Sequence, residues 1–171
     1  MTSEKVRWVE LPVLVHSVRT AVTALASLSV ARLFRLPEAY WAPITTLVIT
    51  QSSLGAALEV SWQRFVGTAL GAVVGAIAAS YCGTDVLVFA GSVFILGLLC
   101  AALGSDRAAY RFGGITLAIV MIVPRTGSAW RVAFDRFAEV SIGIGVALVL
   151  TVVWPEREVA QPDKVNPSGS R

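Results

Sequence analysis

Between Arg64 and Cys82 the chain reads RFVGTALGAVVGAIAASYC, nineteen residues whose single charge comes first. As a helix this stretch is roughly 28 Å long, close to the bilayer's hydrocarbon core of about 30 Å. Five or six segments of this kind follow one another. The first runs from Pro12 to Phe34. The second starts at Tyr40 or Trp41 and loses its apolar character at Thr50-Gln51-Ser52-Ser53. The third is Arg64 to Cys82, and the fourth is Val86 to Gly104. The fifth, Phe112 to Pro124, is short. The sixth, Asp135 to Trp154, is stopped by Pro155. The expected fold is therefore an all-α membrane domain of six transmembrane helices over residues 12–155. A short segment, 1–11, precedes it, and a polar, Pro-rich tail, 156–171, is expected to be disordered.

Composition agrees with this reading. The chain is 56% hydrophobic and 15% charged, with mean hydropathy +0.72. A soluble domain carries about 25% charge. Lys5 and Arg7 precede the first apolar run as in a signal peptide, but the run continues past Val30 and contains Arg19. It reads as a retained helix. The net charge of +3 is scattered along the chain, which argues against a nucleic-acid partner. Cys82 and Cys100 both lie in apolar runs, with no spacing that suggests a metal site or redox pair. No Ser/His/Asp order, ligand cluster or phosphate loop is present. An enzyme is not expected, nor is a cofactor.

Laid on itself with an offset of 72, the chain matches at Gly55/Gly127, Ala57/Ala129, Val60/Val132, Arg64/Arg136, Phe65/Phe137, Gly71/Gly143 and Val74/Val146. Trp62 falls on Phe134 and Arg35 on Arg107. Two repeats of about 12–82 and 84–154 then hold three spans each. An odd number of crossings turns the second repeat upside down, the inverted design of many transporters, with the site at the repeat interface. The middle span of each half breaks at a matching place, Thr50 to Gly55 and Pro124 to Ser128. Such breaks line a transport site or are ordinary loops at short spans. The stretches Ala56 to Gln63 and Ser128 to Asp135 mix charge with aromatics, as interfacial helices do. Trp41, Trp62, Trp130 and Trp154 lie near span ends, where interface anchoring accounts for them; Trp41 is the exception most worth testing.

Arg64 and Arg136 head the two matching lines. Each either snorkels to headgroups or attracts an anion. Asp135, Glu139 and Arg131 lie close to Arg136 along its helix, whereas Arg64 has only Glu59. Arg64 is therefore the better candidate for a cation left free to hold an anion, with Thr68 four residues on. Thr50 and Gln51 of the first break, and Trp41, complete the candidate substrate path. Gly67, Gly71 and Gly75 share one helix face, and small residues at that spacing let helices approach closely. Their expected partner is the sixth span, where Gly143 and Ala147 are spaced alike, or another subunit. His16, Thr20, Thr23 and Ser27 trace a stripe on the first span, with Arg19 at its edge. A polar stripe on a membrane helix faces the bundle or a watery path. His16 is the candidate for proton coupling, or else an interfacial side chain in contact with water.

The stretch YWAPITTLVITQSSLGAALEVSWQRFVGTALGAVVGA, with the Arg-x-x-Gly-Thr-x-x-Gly pattern at Arg64, Gly67, Thr68 and Gly71, resembles the membrane half of the fusaric acid resistance and aromatic acid exporter proteins. The ending GIGVALVLTVVWP is similar to that family's last helix. The resemblance covers most of residues 10–155, with a looser similarity to plant aluminium-activated malate channels. It implies a six-helix bundle and efflux of aromatic carboxylic acids or related toxic compounds. Full-length exporters commonly carry two membrane halves and a soluble domain, against one half here, so a homo-oligomer, a dimer or higher, is expected. A non-transporting packing subunit and an uncoupled organic-anion channel are the other readings. Eight basic residues (Lys5, Arg7, Arg64, Arg107, Arg111, Arg157, Lys164, Arg171) against five (Arg32, Arg35, Arg125, Arg131, Arg136) place both termini in the cytoplasm of a multi-pass cell-membrane protein.

Overall fold

A computed structural model describes residues 2–50, 54–123 and 127–154, with side chains from residue 13 onward. Gln51, the break residues 52–53 and 124–126, and the tail lie outside the described residues. The elements are α1 (Thr2–Leu33), α2 (Trp41–Ile49), α3 (Leu54–Ile77), α4 (Val86–Ala102), α5 (Arg107–Ile122) and α6 (Ala129–Val153), and there is no strand among the described residues. A π-helical turn, Ala78–Cys82, carries α3 onward until Gly83 leaves it at φ 93°.

Three helices are long and apolar enough to cross a membrane: Val13–Leu33 within α1, Leu54–Cys82 and Ala129–Val153; α4 is apolar but shorter. The nine residues of α2 span only about 13 Å, so α2 does not cross on its own. Its Pro43 sits in the first turn, where a missing N–H costs nothing.

Three boundaries differ from expectation. The stretches 56–63 and 128–135 are not separate interfacial helices but the opening turns of α3 and α6. No Gly or Pro interrupts either stretch, and Ser128 caps α6 by accepting from the Arg131 N–H. Arg64 therefore lies ten residues inside α3 rather than at its end. Helix α1 likewise extends through most of the segment expected to precede it.

Helices α1 and α4 end alike. Leu36 N–H bonds Ala31 O and Arg35 N–H bonds Arg32 O; Ser105 N–H bonds Cys100 O and Gly104 N–H bonds Ala101 O. Both are Schellman ends, with the left-handed position taken by Gly104 (φ 63°) in one and Arg35 (φ 53°) in the other.

Among the described residues, every helix–helix contact has a counterpart when α1, α2 and α3 are exchanged for α4, α5 and α6. Thus α3 packs on α5 as α6 packs on α2, and α1 touches α2 and α6 as α4 touches α5 and α3. At the centre α3 and α6 run antiparallel: Ala57 clusters with Val140, Ile144 and Ala147, and Ala72 and Ala76 with Ala133. The equivalent residues Phe65 and Phe137 meet there, ring centroids 5.0 Å apart.

The glycine ladder is consumed within the chain. A Cβ on Gly67 would lie 2.1 Å from Ala109 O, and one on Gly71 2.1 Å from Gly113 O. Gly75 faces Val120 and Leu117. The ladder's partner is thus α5, neither the sixth span nor another subunit. Gly143 faces Ala42 O and Thr45 on α2. These close approaches bring the polar side chains of α2 against α6.

The exterior is apolar, with Val18, Leu25, Phe94, Leu98, Phe134, Val149 and Val152 exposed, while Arg19, Thr23, Ser27, Thr45, Thr46, Ser61, Arg64, Thr68, Arg136, Glu139 and Thr151 are buried. Hydroxyls inside donate to carbonyls of their own helix, Thr23 to Arg19 O, Thr46 to Ala42 O and Thr151 to Ala147 O. That is how polar atoms are satisfied where no water reaches.

Candidate functional site

Helices α3 and α6 each bury an arginine beside their crossing, and each arginine stacks on an aromatic ring from the other half of the chain. The Arg64 guanidinium lies 4.8 Å from the Phe112 ring centroid on α5, and that of Arg136 lies 4.0 Å from the Trp41 ring on α2. Trp41 is therefore a platform for Arg136 rather than a mere interface anchor.

The charge environments of the two cations differ. Arg136 pairs with Glu139, one turn on at 3.3 Å, and with Glu38 of the α1–α2 loop. Glu38 also accepts from the Trp41 indole N–H at 3.2 Å, and its backbone N–H donates to Glu139 Oε1 at 3.1 Å. Among the described residues Arg64 bonds the Thr45 hydroxyl, Nη2 to Oγ1 at 3.0 Å. Its Nε is buried without a hydrogen-bond partner, as is the Ser61 hydroxyl one turn earlier. Among the described residues no carboxylate pairs with Arg64. Asp106, the acid of the equivalent α4–α5 loop, accepts from Gln63 instead, at 3.0 Å.

Two cavities occupy equivalent places in the halves. One, about 870 Å³, opens between the α1–α2 loop and the start of α6, lined by Phe34, Arg35, Glu38, Arg131, Asp135 and Arg136 among others. The other, about 300 Å³, lies between the α4–α5 loop and α3, beside Trp62, Gln63 and Asp106.

Thr68 is buried one turn beyond Arg64. Thr50 is half-buried and spends its hydroxyl on Thr46 O at 2.8 Å. His16 is exposed, away from the buried face of α1. That face is Arg19, Thr23, Ser27 and Ala31, a spacing of four that leaves residue 16 off it. Arg19, only 2% exposed, belongs to the stripe and reaches the Thr151 hydroxyl on α6 at 3.4 Å.

Glu38, Thr45, Phe112 and Thr151 were not foreseen from the sequence. Phe112 and Trp41 are 71 residues apart, so shifting the repeat register by one would have matched them. Glu38 gives no such sign, because its partner lies 98 positions away.

Among known proteins, the pattern of the family described as "Fusaric acid resistance protein-like" matches residues 25–150. The chain is 33% identical over 151 residues to "Inner membrane protein YeeA" of Escherichia coli K12, covering 84% of this chain and 42% of that protein. It is 26% identical over 149 residues to "Uncharacterized transporter YdhK" of the same organism, covering 82% and 22%. With a Mycobacterium tuberculosis protein named "Putative arylamide transporter" it shares 27% over 157 residues, covering 88% and 42%. No solved structure matches. The chain spans less than half the length of these relatives. The apolar exterior, the membrane-length helices and the family match over most of the chain lead to one assignment: this is a membrane protein of the fusaric acid resistance protein-like family.

Proposed function

We propose that the chain forms the membrane part of an exporter or facilitator of small organic anions, with aromatic carboxylates as the cargo class. The observation that carries this is Arg64, more than nine-tenths buried in a membrane-length helix, with an orphan Nε and no described carboxylate against it. An intramembrane arginine is costly, a few kcal/mol on insertion scales, and an anion that visits it offsets that cost. Phe112 beside it and Thr68 one turn on supply a ring and a hydroxyl for an aromatic acid. Relatives named as transporters, one of them for arylamides, support the transport part of this reading.

The full arrangement belongs to this proposal. Six segments form two inverted repeats in the cell membrane, with both termini cytoplasmic and copies of the chain associating to complete the transporter. The exchangeable contacts and the antiparallel α3–α6 crossing support the inverted repeats within this arrangement. The glycine ladder, spent on α5, removes the feature that favoured a packing subunit.

The test is accumulation of labelled hydroxybenzoate in cells expressing the chain or Arg64→Ala at matched membrane levels. Lower accumulation with the natural chain, lost in the variant, is the expected result. Equal accumulation in expressing and non-expressing cells removes this cargo.

A further inference from the structure

We propose that Glu38 is a displaceable internal counter-anion, occupying on Arg136 the place that a ligand carboxylate takes during passage. This rests on the transport reading above and concerns the control of its wider cavity. Arg136 has two carboxylate partners of different character. Glu139 sits on α6 with its side chain 1% exposed; Glu38 sits on the loop between α1 and α2 with its side chain 30% exposed. The first is a fixed neutraliser, because it is buried one turn from Arg136 on the same helix and breaking a buried pair is costly. The second faces the 870 Å³ cavity from the turn between α1 and α2, where the Trp41 N–H holds its backbone O and its side chain is the part that can move.

The described lining of that cavity contains three arginines, Arg35, Arg131 and Arg136, and three carboxylates, Glu38, Asp135 and Glu139. Among these described residues the charges balance, so an incoming anion gains little from them until one internal carboxylate leaves. Of the two carboxylates that neutralise Arg136, Glu38 is the more exposed and the one that can leave with less loss. When the side chain swings away the backbone N–H remains on Glu139, and the bond given up besides that to Arg136 is that from the Trp41 indole N–H. A ligand carboxylate then takes the vacated Nη2 of Arg136, and its apolar body rests against Phe34, Leu36 and Val132 of the same cavity. Glu38 acts through Arg136 and is a positioning residue.

The experiment is calorimetric titration of benzoate into the purified full chain and into E38Q, with thermal unfolding of both. Glutamine keeps an acceptor for the Trp41 indole and leaves the backbone bond to Glu139 intact, but gives up the charge that competes. If Glu38 holds Arg136 for nine-tenths of the time, apparent affinity rises about tenfold in E38Q, with little change in unfolding temperature. A merely structural Glu38 predicts the opposite pattern, lower stability with affinity unchanged or weakened, and that result overturns the proposal. Binding by neither protein overturns this inference together with the transport reading. Binding by both with equal affinity removes the inference alone. Should E38Q fail to fold, E38D keeps the charge on a shorter tether, and a smaller gain in affinity in the same direction is required of it.

Discussion

Arg64 and Arg136 stand 72 residues apart in equivalent places, each inside the third helix of its half and each over an aromatic ring of the opposite half. Their surroundings have nonetheless diverged. Arg136 has two carboxylates and a cavity of about 870 Å³ beside it; Arg64 has a threonine hydroxyl, an unsatisfied Nε and a smaller cavity nearby. The exchangeable packing therefore puts a cation in the same place twice and lets the neutralising charge differ. A bundle with both arginines fully paired would present no field to an anion. One with both bare would carry two uncompensated charges inside a membrane.

The largest effect concerns what the halves share. Gly71 is in backbone contact with Gly113, where a Cβ would stand 2.1 Å from the carbonyl oxygen, while Gly55 has open space. Overpacking ordinarily costs about 1–3 kcal/mol, and a backbone obstacle cannot rotate away. Gly71→Leu is expected to abolish the monodisperse peak in detergent size-exclusion, with Gly55→Leu retaining it. A normal Gly71→Leu peak would mean that α3 and α5 do not touch as described.

The next effect separates the two cations. Glu139→Ala leaves Arg136 with only the part-exposed Glu38 and takes the acceptor from the Glu38 N–H, and breaking a buried pair from one side costs about 3–5 kcal/mol. Thr45→Val removes only a hydroxyl from Arg64, about 1–3 kcal/mol. Thermal unfolding of the two variants should rank them in that order. Equal losses would erase the distinction between a neutralised and a bare site.

A third variant converts one site into the other. Ser61 is buried three residues before Arg64 with its hydroxyl unpartnered. Ser61→Asp supplies a local carboxylate, as Glu139 does for Arg136 from three residues after. If Arg64 is the anion-attracting group, export of labelled hydroxybenzoate falls by about tenfold or more, because only the fraction of Arg64 left unpaired can bind, while membrane levels hold. Undiminished export would remove Arg64 from the path.

The all-helical fold was legible because apolar helices announce themselves by length and composition, and the offset of 72 residues paired two distant lines. The Arg136–Glu139 pair was legible for the same reason, since it is local along one helix. Other features depend on three dimensions. The ladder's partner was misjudged because Gly113 on α5 has no glycine rhythm of its own to advertise the fit. His16 looked aligned with Thr20 and Thr23, yet the buried face advances by four residues from Arg19. Glu38 lies in a loop, and nothing in its neighbours says that an arginine 98 positions later will reach it.

The smallest effect tests whether the divergence extends to the backbone. Arg35 and Gly104 occupy the same left-handed place at the ends of α1 and α4. A left-handed conformation costs a non-glycine residue about 1–2 kcal/mol, so Arg35→Gly should raise stability by about 1 kcal/mol, the larger backbone entropy of glycine in the unfolded chain offsetting part of the gain. Gly104→Ala should lower it by a similar amount. Backbone strain of this kind is kept where the side chain has a use, and Arg35 lines the cavity that Glu38 and Arg136 share. The two ends therefore differ in what they trade. The Gly104 end should lose stability alone, whereas Arg35→Gly should gain stability and weaken benzoate binding, since the balanced cavity loses a cation. A variant at Arg35 that is more stable and binds benzoate as well as the natural chain would leave the strained arginine without a purpose there.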